Sequence, residues 1–109
     1  MKQKILIIED DRVLRENTAE LLELTGYSVK TVEGGKEGIY EAKNFLPDLI
    51  LCDIMMPGMD GYEVLQKLHE SDEEGHISFV FITALSDRQF FRQGMELGAH
   101  DYLTKPFTR

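Results

Sequence analysis

Leu49-Ile50-Leu51-Cys52-Asp53-Ile54-Met55-Met56-Pro57-Gly58 is an apolar run that ends in one carboxylate, Asp53, and then turns at a Pro-Gly pair. Asp48 stands before the run as a polar boundary. A strand that is apolar at nearly every position is buried on both faces, as in a parallel sheet covered by helices. Its last residue emerges where such sheets place their ligand sites.

Working outward, Ile5 to Ile8 is a second buried strand, and it too ends in acids, Glu9-Asp10-Asp11. A helix is expected from about Arg12 to Thr25, with Leu14, Leu21 and Leu22 inward. Asp11 suits its N-cap and Gly26 its left-handed C-terminus. Tyr27 to Val32 alternates and is β-branched, which reads as a strand. After the break at Gly34-Gly35, Ile39, Ala42 and Leu46 mark a helix face that Pro47 closes. A helix from Gly61 to about Ser71 should bury Val64, Leu65 and Leu68.

Ile77 to Ile82 reads as a strand with Val80 and Ile82 on one side and Phe79 and Phe81 on the other. Ser86-Asp87-Arg88-Gln89 has capping-box spacing and opens a further helix, which Gly98 ends. Asp101 to Thr104 is a last strand, followed by Lys105-Pro106.

Strands and helices therefore alternate, which means an α/β fold with a parallel sheet and helices on both faces. The doubly wound, flavodoxin-like order 2-1-3-4-5 puts strands 1 and 3 side by side at the switch point. No other common order gives the acids a reason to be there. A fifth helix should follow the fifth strand, yet the sequence stops at Phe107-Thr108-Arg109. Residues 1–109 thus read as one domain truncated before its last helix.

Composition narrows the classes. Apolar residues make up 42% and charged residues 29%, ordinary for a globular domain. No apolar run approaches the roughly 20 residues of a membrane span, so no membrane association is expected. The lone Cys52 excludes an internal disulfide, fits a cytoplasmic setting and reads as a small buried hydrophobe. A net charge of −8 argues against direct nucleic-acid binding and is compatible with a cation or a basic partner.

Carboxylates at one point repel; a pair at about 4 Å costs on the order of 4 kcal/mol at an effective dielectric of 20. Either a proton is held or a cation enters. Hard oxygen ligands with room for water suit Mg2+. With Lys105 protonated nearby, Glu9, Asp10 and Asp53 leave a −2 site that one divalent ion cancels. A metal and an ammonium around a free carboxylate match the needs of phosphoryl transfer, with the carboxylate as nucleophile. Thr83 has a hydroxyl for a phosphoryl oxygen, and Ala84 is small enough to leave room.

Ile5-Leu6-Ile7-Ile8-Glu9-Asp10-Asp11, Asp53 through Gly61, Ile82-Thr83-Ala84 and Gly98 through Phe107 together resemble the receiver domain of bacterial two-component response regulators. The pieces fall in that family's order and cover the whole chain apart from a fifth helix. The resemblance implies that Asp53 accepts phosphate from a histidine kinase or phosphotransfer protein. It implies Mg2+ held by Glu9, Asp10, Asp53 and the Met55 backbone carbonyl. Lys105 would pair with Asp53 and then the phosphate, the Ala84 backbone would contact the phosphate, and the Lys105-Pro106 bond would be cis. Thr83 and Tyr102 would move as the switch. An output domain C-terminal to Arg109 and a homodimer are compatible with it. The domain would be no enzyme beyond its own phosphoryl transfer and dephosphorylation.

Some readings stay open at this level. Asp10-Asp11 competes with Glu9-Asp10 as the metal pair, and Tyr102 with a plain core role. Asp60 reads as part of the turn after Pro57. Met55 and Leu85, two residues past Asp53 and Thr83, are apolar and cannot orient a water, so a long-lived phosphoryl group is expected. A phosphatase would need a second Asp where Met55 stands, and a Walker loop is absent. A degenerate receiver used only for contacts is the alternative function.

Overall fold

The computed structural model describes residues 2–71, 77–83 and 101–104. Its elements are β1 (Lys4–Ile8), α1 (Arg12–Leu24), β2 (Ser28–Val32), α2 (Gly35–Phe45), β3 (Leu49–Asp53), α3 (Gly61–Ser71), β4 (Ser78–Thr83) and β5 (Asp101–Thr104). The five strands form one parallel sheet ordered β2-β1-β3-β4-β5, as the acidic strand ends require. The expected helix after Ser86 falls outside the described residues.

Alternation along the central strands splits the core in two. Leu6, Ile8, Ile50, Cys52, Phe79 and Phe81 face one layer, where Ala42 of α2 and Val64, Leu65 and Leu68 of α3 cover them. Phe81 packs edge-on against both Tyr62 and Phe79, with ring centroids 5.1 Å apart in each pair. Ile5, Ile7, Leu51 and Ile82 face the other layer, where α1 contributes Ala19 and Leu22. The sidedness expected for β4 is therefore found. Cys52 is fully buried in the first layer, as expected of a small hydrophobe.

Local chemistry sets the helix ends. The Asp11 side chain accepts from the Leu14 N–H at 3.1 Å and caps α1. At the other end Gly26 takes φ +104°; its N–H donates to the Glu23 carbonyl and that of Tyr27 to the Leu22 carbonyl. This is the Schellman pattern, and Tyr27 and Leu22 both pack on the second layer. Glu16 holds the exposed Arg12 guanidinium still above its usual value, first by a hydrogen bond and then by charge. Asp48 ties the opposite end of the sheet. Its carboxylate accepts from the Lys4 N–H at 2.8 Å, and its carbonyl accepts from the Ser78 N–H at 3.1 Å.

Leu46 departs from expectation. It is not on the buried face of α2 but is the C-cap at φ +54°, 67% exposed. Pro47 disfavours the helical conformation in the residue before it, so the chain leaves the helix one residue early and Leu46 swings outward. Leu14, Leu21 and Leu22 are half-buried, while Arg15, Thr18 and Ala19 form the buried side of α1.

Candidate functional site

β1 and β3 are neighbours, with Ile8 opposite Cys52. Each then delivers an acid at its C-terminal end. Glu9 is 1% exposed and Asp53 5%, while Asp10 is exposed at the rim. Carboxylate oxygens of all three lie within 4.8 Å of one another. Asp11 is turned to its capping role at α1 and is not part of this group.

The Glu9 backbone is held on both sides. The Glu9 N–H donates to the Val32 carbonyl at 3.1 Å, continuing the β1–β2 ladder by one residue. Its carbonyl accepts from Arg15 Nη1 at 2.9 Å. Arg15 is 9% exposed, and its Nη2 lies 3.6 Å from the Glu33 carboxylate just past β2. Sequence reading missed Arg15, because an arginine on an amphipathic helix signals a surface position.

The loop after Asp53 is pinned from α3. The Gly61 N–H donates to the Ile54 carbonyl at 2.8 Å. A Cβ on Gly61 would meet the Asp53 carbonyl, with the Ile54 Cα at 2.9 Å and the Phe81 ring at 3.0 Å. Only glycine lets α3 start against the end of β3. Asp60 then caps α3: its carboxylate accepts from the Glu63 N–H at 2.9 Å, and its own N–H faces Glu63 Oε1 at 3.5 Å. Asp60-x-x-Glu63 is a capping box in acid form, a signal readable in the sequence. Met55 stands in this loop with 63% of its surface exposed.

Thr83 ends β4 one residue beyond Ile82, which lies opposite Asp53. It pairs in register with Thr104, and Tyr102 pairs with Phe81. Both enter as strand positions. Ala84, Leu85, Lys105 and Pro106 fall outside the described residues.

At about 4.8 Å each like-charged pair costs on the order of 3–4 kcal/mol at an effective dielectric of 20, less for pairs that include the exposed Asp10. The donor set is all carboxylate oxygen, hard and anionic, which fits Mg2+ or Ca2+ and not a soft metal. Opposite ligands of an octahedral Mg2+ stand about 4.2 Å apart, so three oxygens within 4.8 Å can meet one ion with small side-chain shifts.

The chain matches the family model for the response regulator receiver domain over residues 5–109. The chain belongs to that family. Among relatives, the DNA-binding dual master transcriptional regulator RpaA of Synechocystis is 40% identical over 104 residues, 95% of this chain and 43% of that protein. Response regulator PleD of Caulobacter vibrioides is 44% identical over 110 residues, 97% of this chain and 23% of that protein. The chemotaxis protein CheY4 of Vibrio cholerae superposes with a TM-score of 0.94 at 26% identity, covering 99% of this chain and 90% of that one. This receiver domain spans about two fifths of the length of several curated relatives it matches. The flavodoxin-like fold and the two-component receiver family expected from sequence are thus both found. Among the described residues, no helix is long and apolar enough to cross a membrane.

Proposed function

We propose that this domain is a phosphorylation-driven switch in which Asp53 accepts a phosphoryl group from a phosphohistidine of a histidine kinase or phosphotransfer protein. The observation that carries the reading is the meeting of Glu9, Asp10 and Asp53 at the ends of adjacent strands. Membership of the receiver family supports it.

In this reading an Asp53 carboxylate oxygen attacks phosphorus in line. The phosphorus–nitrogen bond breaks, its electron pair returns to nitrogen, and the imidazole, already protonated on its other ring nitrogen, leaves neutral. Burial of Asp53 at the end of a rigid strand fixes its direction of attack. Glu9 and Asp10 would hold Mg2+ together with Asp53 and the Met55 carbonyl. When bound, that ion offsets negative charge on the phosphoryl oxygens. Thr83, the Ala84 backbone and Lys105 receive the phosphoryl oxygens. Movement of Thr83 and Tyr102 then changes the surface of the fifth strand and of the helix expected after Ser86.

The domain acts in the cytoplasm and is no enzyme beyond its own phosphoryl transfer and hydrolysis. The signal passes to an output domain C-terminal to Arg109 or to a partner, with a homodimer as one assembly. RpaA is named a DNA-binding transcriptional regulator, so a DNA-binding output suits this protein too. The receiver itself, at net charge −8, would leave DNA contact to that output.

The test is phosphoryl incorporation from acetyl phosphate with and without Mg2+, followed by intact mass. Incorporation that needs Mg2+ and is lost in a Glu9→Gln/Asp10→Asn double variant supports the reading. Metal-independent incorporation, or an unaffected double variant, contradicts it.

A further inference from the structure

Arg15 comes from the second turn of α1 and points inward, where an amphipathic helix would ordinarily place an aliphatic residue. Only four buried polar or charged residues occur among the described ones: Glu9, Arg15, Thr18 and Asp53. Two of these belong to the carboxylate cluster, and Arg15 touches one of them. Its Nη1 donates to the Glu9 carbonyl at 2.9 Å, a buried contact across six residues of chain. Its Nη2 reaches toward Glu33 at 3.6 Å, but that carboxylate is 80% exposed and screened.

Stability alone accounts poorly for this arrangement. Burying a guanidinium is costly, and a well-packed apolar residue often serves a fold as well or better. A single backbone carbonyl and a water-exposed acid are modest compensation. What the contact does is local: it clamps the peptide that joins Glu9 to Asp10. That peptide decides where both side chains point. The Glu9 N–H bond to Val32 fixes one side of the residue and Arg15 fixes the other. The guanidinium also adds a fixed positive charge beside the turn that gathers three negative ones.

We propose that Arg15 is a positioning residue for the carboxylate cluster, setting its affinity for a divalent cation by holding the Glu9 carbonyl. The inference rests on reading Glu9, Asp10 and Asp53 as a Mg2+ site. Groups that orient metal ligands from behind commonly matter ten- to a hundredfold in affinity.

The test is calorimetric titration of the full chain with Mg2+ alone, together with thermal unfolding in EDTA and in Mg2+. Arg15→Met should bind Mg2+ at least about tenfold more weakly. It should remain folded in EDTA while losing most of the Mg2+-dependent rise in Tm. Arg15→Lys, which keeps a donor and a charge, should recover part of the affinity. Glu33→Gln should bind within about twofold of wild type. If Arg15→Met does not fold, Arg15→Gln decides, and it should show the same weakening. Wild-type affinity in either folded variant overturns the role of Arg15 while leaving the metal site standing. Equal losses in Glu33→Gln and Arg15→Met overturn the carbonyl clamp as the cause. A wild-type chain that takes up no Mg2+ overturns the metal reading itself and the proposal with it.

Discussion

Glu9 and Asp53 close two adjacent parallel strands, each almost wholly buried, with carboxylate oxygens within 4.8 Å of one another. The sheet forces this meeting: β1 and β3 lie in register, and each continues one residue past the pair Ile8–Cys52 into an acid. Like charges gathered in this way repel, and a bound cation, a neighbouring ammonium or a held proton would each offset them.

It follows that Asp53→Asn should stabilise the metal-free domain, by about 1–2 kcal/mol once screening at Asp10 is allowed for. In EDTA its Tm should lie several degrees above wild type. In Mg2+ the order should narrow or reverse, because wild type gains binding energy, about 2.7 kcal/mol at a hundred times Kd, that the variant gains weakly. Paired melts in EDTA and Mg2+ check this, and a variant less stable than wild type in EDTA contradicts it.

Gly61→Ala tests how α3 positions the acid. The added methyl would press on the Asp53 carbonyl and on Ile54 Cα, which are backbone and cannot turn aside. A loss of roughly 2–4 kcal/mol in urea unfolding is expected. Mg2+ affinity in the surviving folded protein should fall as well, since the strand end that carries Asp53 must shift.

Asp11→Ala separates the cap from the cluster. Loss of the bond to the Leu14 N–H should cost about 0.5–2 kcal/mol in urea unfolding. Mg2+ affinity should stay near wild type. A large loss of Mg2+ affinity would place Asp11 among the ligands instead.

Much of this was legible in the sequence, and the failures have physical reasons. Ile5–Ile8 and Leu49–Asp53 are short, apolar throughout and closed by acids, so strand identity and the site followed from one pattern. Gly26 and Asp11 announced the ends of α1 through chemistry that few other residues supply. Leu46 misled because hydrophobic spacing ignores the constraint that Pro47 places on the residue before it. Arg15 was invisible because only the packed fold shows which side of α1 is buried. Asp60 and Glu63 carried their capping signal openly, but the Pro57-Gly58 turn before them drew the reading toward a loop.

If Asp53 carries a phosphoryl group as proposed, Met55 would bear on how long it lasts. Its thioether neither accepts strongly nor donates, so it cannot orient a water for attack on a phosphoryl group at Asp53. Met55→Asn should shorten the half-life of the phosphorylated domain several-fold, read by the decay of its intact mass after removal of the donor. An unchanged half-life contradicts this account of Met55.

The most direct measurement is the intact mass of the full chain after incubation with acetyl phosphate and Mg2+, wild type beside Asp53→Asn. A gain of one phosphoryl group in wild type and none in Asp53→Asn is the expected result. A folded wild-type chain that gains nothing, or an Asp53→Asn chain that gains the group equally well, would contradict Asp53 as the phosphoacceptor.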